Sequence, residues 1–148
     1  MGRTGLRLVF RPLIVFFLQL TILAICAVIT KHDMADDCLF CKVIAGEIPS
    51  SRVYEDDVCV AFNDISPQAP THILIVPRQH VDSLDTAGES DRQMLGHLLL
   101  ASAGVARSAG IAEDGYRVVV NTNADGGQTV FHLHVHLLGG RPFVFPPG

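Results

Sequence analysis

Val130, Phe131, His132, Leu133, His134, Val135, His136 and Leu137 follow one another in the chain, which sets three histidines two residues apart. In an extended segment side chains alternate between faces, so His132, His134 and His136 share one face with Val130. Phe131, Leu133, Val135 and Leu137 line the other face and can be buried. At ~3.3 Å per residue, neighbouring histidines stand about 6.6 Å apart. Three imidazoles in a row are costly to bury without partners, so the spacing points to function. Two chemistries fit. One is a metal centre that takes several imidazoles directly. The other is nucleophilic catalysis by a neutral histidine held in one tautomer by its neighbours. Just upstream, Gly126 and Gly127 can offer backbone N–H groups to an anion, and Gln128, Thr129 and Asn121 add neutral donors. That set suits a phosphate. A metal site would more often recruit a carboxylate, and Asp125 is the only one nearby.

Cys38 and Cys41 form a second constellation. A Cys-x-x-Cys pair is either redox-active or half of a zinc site. The strand–motif–helix setting of a thioredoxin-like site is missing, and tetrahedral zinc would need two further ligands. Cys59, in an apolar run, reads as a core thiol. His97, inside an apolar helical pattern, reads as a packed or half-exposed side chain and not as a ligand.

These residues need elements to hold them. Leu39 to Ala45 reads as a short amphipathic helix stopped by Gly46 and Pro49. Short strands are expected at 53–54, 58–62 and 72–76, the last stopped by Pro77. Met94, Leu95, Leu98, Leu99, Val105 and Ala106 recur at helical spacing, which predicts a main helix over 89–109 with Thr86 and Glu89 as its capping box. Further strands are expected at 116–121 and 130–138, with a tight turn at 125–128. Strands, a long helix, then strands joined by short turns read as an α+β domain with a mostly antiparallel sheet.

The chain has 148 residues and a formal charge of -4. Arg3, Arg7, Arg11 and Lys31 are the only charged residues before position 32; the rest carries 7 basic and 15 acidic groups. That balance argues against a general nucleic-acid binder. Four cysteines are too few for a disulfide scaffold. Residues 12–30 are uncharged and would span about 28 Å as a helix, close to the ~30 Å of bilayer hydrocarbon. Residues 1–33 therefore read either as a membrane anchor or signal, or as an extension ahead of a true start at or near Met34. The second reading gives a cytoplasmic protein of residues 34–148.

His132-Leu-His134-Val-His136-Leu-Leu resembles the His-x-His-x-His-x-x signature of the histidine triad (HIT) family. The resemblance extends to residues 36–49, to Phe62–His72, to Val76–His80, to Asp125–Thr129 and to Leu138–Arg141, and is strongest with the Hint-like branch. It covers about residues 34–148. It implies a five-stranded, mainly antiparallel sheet with one long and one short helix, extended across a homodimer. It implies a hydrolase that cleaves the P–N bond of purine nucleoside 5′-phosphoramidates or aminoacyl-adenylate-like conjugates through a nucleotidyl-histidine. Cleavage of dinucleoside polyphosphates and non-catalytic nucleotide binding are the alternatives. By the same resemblance His134 is the nucleophile, His136 meets the phosphate and His72 completes the polar cluster. Asn121, Gly127, Gln128 and Thr129 would hold the phosphate, Asp64 the ribose, and Leu39, Phe40, Val43, Phe62 and Ile65 the base. Cys38, Cys41, His80 and His132 would hold a structural zinc, and no catalytic metal is required. The chain departs from the pattern at Asn63, where many Hint-like sequences carry a histidine, and at Thr129, which replaces a common serine but keeps its hydroxyl.

Overall fold

A computed structural model describes residues 37–146. The extension 1–33, with its apolar run, lies outside the described residues. Among the described residues no helix is long and apolar enough to cross a membrane.

The described residues open with helix α1, Leu39–Ala45, which closes on Gly46: its N–H reaches back to the Lys42 and Val43 carbonyls, and its φ of +82° returns the Glu47 N–H to Lys42 O at 2.9 Å. Strands β1 (Arg52–Glu55), β2 (Cys59–Asn63) and β3 (Thr71–Pro77) follow. A 3-10 turn, Glu89–Asp91, leads into helix α2, Arg92–Ser108. Strands β4 (Tyr116–Val119) and β5 (Val135–Gly139) complete the domain. The sheet order is β1-β2-β3-β5-β4, with every neighbouring pair antiparallel. This is the expected α+β architecture.

The pairing register sorts the core. Phe62 lies opposite Leu74, and Leu74 opposite His136. Directly opposed residues share a face, so Val60, Phe62, His72, Leu74, Val76 and His136 all point to one side. There they meet Phe40 and Val43 of α1, and the apolar ones form a small core with them. Cys59, Ala61, Ile73, Ile75, Val135 and Leu137 point to the other side. They pack on Met94, Leu98, Val105 and Ala106 of α2. The polar chemistry is therefore confined to the α1 face, and α2 makes the larger apolar layer.

Three expectations are corrected. The last strand starts at Val135, not Val130. The β3–β5 ladder ends at Ile75–Val135. Beyond it β3 reaches Pro77, which has no N–H to donate and whose carbonyl accepts from the His132 ring at 2.9 Å. The backbone of Leu133 turns instead to Val81 O, at 2.6 Å. Alternation nevertheless persists: Leu133 still enters the α2 core, but Phe131 is half exposed rather than buried. The main helix begins at Arg92, and Thr86 does not cap it. Thr86 pairs with Ser83, while Asp91 accepts from the Gly88 N–H at 2.8 Å. Strand β4 stops at Val119.

Candidate active site and metal centre

The three histidines diverge in role because each has a different partner. His134 is buried and its Nδ1 lies 2.7 Å from the carbonyl of His132. A carbonyl only accepts, so Nδ1 carries the proton and Nε2 keeps its lone pair. The ring is held edge-on by Phe40 at 5.1 Å and by His136 at 4.9 Å. It lines a cleft of about 720 Å³ together with His136, Asp64 and Thr129. Burial lowers the pKa of His134, against the raising influence of the His132 carbonyl and Asp64. A neutral imidazole with a defined tautomer is the form that attacks an electrophile.

His136 pairs with His72 on the neighbouring strand. The His72 Nδ1 accepts from the Gln68 N–H at 3.1 Å, so its proton is on Nε2. That Nε2–H faces the His136 Nδ1 at 2.9 Å, which leaves the His136 proton on Nε2. The Asn121 Nδ2 lies 3.5 Å from that nitrogen, and since both carry protons they stand as neighbouring donors and are not bonded to each other. A chain of hydrogen bonds thus runs from a backbone amide through two rings to a donor at the cleft. Burial, with neighbouring His134 and His72, brings the His136 pKa down to about 4, against the raising influence of Asp64. Burial also lowers that of His72, with Asp64 opposing. Asp64 stands 3.5 Å from His72 and accepts from the Ser66 N–H at 2.7 Å. Although Asp64, His72 and His136 lie close enough to hold a metal together, the 2.9 Å ring-to-ring contact is that of a shared proton. Two nitrogens on one tetrahedral metal would stand about 3.3 Å apart.

His132 turns away from the cleft. Its Nδ1 lies 3.4 Å from the Cys38 Sγ and 3.5 Å from the Cys41 Sγ, and the Cys41 Sγ lies 3.3 Å from the His80 Nδ1. All four ligand atoms fall within 4.8 Å of one another. Sulfur and nitrogen bound to one tetrahedral zinc would be about 3.6 Å apart, so the cluster has the dimensions of a Cys2His2 centre. Its outer partners fit as well. His132 Nε2–H donates to Pro77 O, and His80 Nε2–H to the Asp82 carboxylate at 2.8 Å, each leaving Nδ1 for a metal. The cluster is able to bind a structural metal.

The rest of the cleft is apolar. Leu39, Phe40, Val43, Phe62 and Ile65 line it together with Ile48, Pro49, Leu74 and Val130, which sequence reasoning missed. Leu39 is 46% exposed and Ile65 fully so. Ser50, Ser51 and Asn63 add polar groups. The 121–129 loop departs from expectation. Gln128 is buried, and its amide binds Asn123 N–H, Asp82 O and Val130 O, so its side chain holds the loop. The Gly127 N–H is engaged with Ala124 O at 2.9 Å, and a φ of +78° explains its glycine. Gly126 packs so closely on Thr122 that a Cβ would stand 2.3 Å from its carbonyl oxygen. The paired glycines thus shape the loop; Thr129 lines the cleft, and Asn121 stands beside His136. Asp82 was also missed; its place two residues after His80 is the signal that could have found it. His97 is partly exposed, within the range expected, and bonds the Asp56 carboxylate at 2.7 Å.

Five antiparallel strands, a cleft under a short helix, and a histidine triad split between cleft and metal-capable cluster define a histidine triad hydrolase site. Residues 45–143 match the HIT domain, and the chain belongs to the HIT domain family. It is 52% identical over 109 residues to the purine nucleoside phosphoramidase of Escherichia coli K12, covering 74% of this chain and 92% of that one. An uncharacterized HIT-like protein of Synechocystis is 53% identical over 115 residues, covering 78% of this chain and all of the relative. Among solved structures, a HIT family hydrolase from Legionella pneumophila superposes with a TM-score of 0.74 at 47% identity, over 76% of this chain and all of that one.

Proposed function

We propose that the chain hydrolyses the P–N bond of purine nucleoside 5′-phosphoramidates or related aminoacyl-adenylate-like conjugates. The observation that carries this reading is the lone pair of His134 Nε2, fixed toward an apolar cleft by the 2.7 Å bond from Nδ1–H to the His132 carbonyl. The base lies between Phe40, Phe62, Leu39, Val43 and Ile65, the ribose hydroxyls meet Asp64, and Asn121 and Thr129 hold phosphate oxygens. His134 Nε2 attacks the α-phosphorus. As the P–N bond breaks, the leaving amine takes a proton from solvent in the open cleft, while His136 Nε2–H, oriented by His72 through Nδ1, donates a hydrogen bond to a phosphoryl oxygen. Water then attacks the nucleotidyl-histidine, releases the nucleoside monophosphate and the neutral His134 ring, and gives its proton to solvent. Each donor aimed at the phosphoryl oxygens contributes on the order of 3 kcal/mol to such a transition state. The 52% identity to a purine nucleoside phosphoramidase supports the substrate class.

In the same reading Cys38, Cys41, His80 and His132 hold zinc as a structural ion, and the hydrolysis needs no further metal. The chain works as a homodimer; among the described residues β4 ends the sheet with an edge available for pairing, and Leu99 and Leu100 are exposed on α2. The working unit is residues 34–148, acting in the cytoplasm.

The test is His134→Asn, assayed with an adenosine phosphoramidate and, separately, a dinucleoside polyphosphate. We expect phosphoramidate turnover in the parent to exceed that of the polyphosphate. The variant should lose at least a thousandfold in kcat while still binding AMP, and rapid-quench mass spectrometry of the parent should find the nucleotidyl adduct on residue 134. Full activity in the variant overturns the assignment.

A further inference from the structure

The metal-capable cluster and the nucleotide cleft share parts. Cys38 and Cys41 bracket α1's first turn, and between them Phe40 reaches the other way, to the rings of His134 at 5.1 Å and His132 at 6.1 Å. His132 faces the thiols with Nδ1 and gives its carbonyl to the His134 Nδ1–H. We infer that the Cys38/Cys41/His80/His132 centre and the cleft are energetically coupled through His132 and Phe40, so that metal occupancy tunes the poise of His134 and a bound nucleotide in turn tightens the metal. The inference rests on the proposed readings of the cluster as a metal centre and of His134 as the nucleophile.

The physical path is short. A ligand bond at Nδ1 and the hydrogen bond from Nε2–H to Pro77 O fix the His132 ring at both ends. The same residue's carbonyl decides where His134 points. A bound metal also ties α1 to the 132 segment, and α1 carries Leu39, Phe40 and Val43 of the base wall. Releasing the metal loosens both. The peptide after His132 keeps a second anchor, Leu133 N–H to Val81 O at 2.6 Å. Uncoupling is therefore graded: kcat falls severalfold and is not abolished. Linkage makes the effect reciprocal, because a nucleotide that favours the ordered arrangement must raise metal affinity by the factor by which the metal raises its own.

The full chain loaded with Co2+ tests this by spectroscopy and by metal affinity, with no reliance on turnover. Cobalt on two thiolates gives a charge-transfer band, and its d–d bands report ligand geometry. On titration with AMP, followed in parallel by calorimetry, the d–d bands should shift. The cobalt dissociation constant, measured against a chelator, should fall about fivefold or more. In Phe40→Leu the shift should shrink to less than about twofold while cobalt still binds. If AMP binds and neither bands nor affinity change, the coupling is wrong and the proposed hydrolase reading stands. If AMP does not bind, both fall. If cobalt gives no thiolate band, the metal centre and the coupling fall while the reading of His134 is untouched.

Discussion

At the scale of single residues, what distinguishes the three triad histidines is which nitrogen each has in use. His134 has Nδ1 on a carbonyl, His136 has Nδ1 on another ring, and His132 has Nε2 on a carbonyl. Imidazole has two nitrogens and one proton when neutral, so one bond fixes the chemistry of the other end. Burial then keeps the rings uncharged, and this has a consequence for pH. With a pKa of about 4 in the fold and about 6.5 in the unfolded chain, His136 binds fewer protons folded than unfolded between those values. Unfolding free energy therefore rises with pH through that window. The full contribution is present above pH 6.5 and is lost progressively as the pH falls toward 4. The buried His72 and His134 shift in the same direction. Urea unfolding between pH 7.5 and 4.5 should show stability falling by up to about 1.4 kcal/mol per pH unit for each such histidine. His136→Gln should flatten the slope. A slope unchanged by that substitution would show that the group is charged in the fold.

At the scale of elements, the legible parts were those whose signal is local. Strands β2 and β3 were visible because Val58–Phe62 and Ile73–Val76 are unbroken runs of apolar β-formers, and α2 because Met94, Leu98 and Val105 fall on one face. The first half of the expected last strand failed because Pro77 cannot continue the ladder, a fact held on another strand. The pairing of His72 with His136 depends on register across 64 residues and cannot be read from spacing. Sequence spacing also did not reveal that the Gly127 N–H and the Gln128 side chain bond within the loop and to Asp82. The Cys38/Cys41/His80/His132 set was reached by resemblance, since nothing local joins residue 38 to residue 132. Helix α1 shows what that set does for the fold. It has seven residues and no side-chain cap at Cys38, too short to be stable alone. A metal holding its first turn would supply the missing restraint. Cys38→Ser should lower the thermal midpoint by 4–8 °C for about each kcal/mol lost, together with the metal content. An unchanged midpoint and metal stoichiometry would remove the structural role.

At the scale of the whole molecule, one sheet divides the labour. Its α2 side is an apolar layer with buried Leu98, Val105 and Leu137, and its α1 side carries every histidine proposed for chemistry. A chain beginning at Met34 contains all of these groups. It should hydrolyse an adenosine phosphoramidate with the kcat/KM of the full chain and sediment as a dimer. Loss of turnover in that truncated protein would give residues 1–33 a role in the reaction.

The exposed isoleucine at the cleft mouth sets a thermodynamic signature. Ile65 stands wholly in water and Leu39 nearly half so, although both belong to the lining of the cleft. The purine would thus act as the missing piece of a hydrocarbon shell, dehydrating these side chains as it stacks. Calorimetry of AMP binding over 10–35 °C should give an enthalpy that grows more negative on warming, by on the order of 0.1 kcal/mol per kelvin for roughly 200 Å² of apolar surface covered. Ile65→Ser should visibly reduce that temperature dependence.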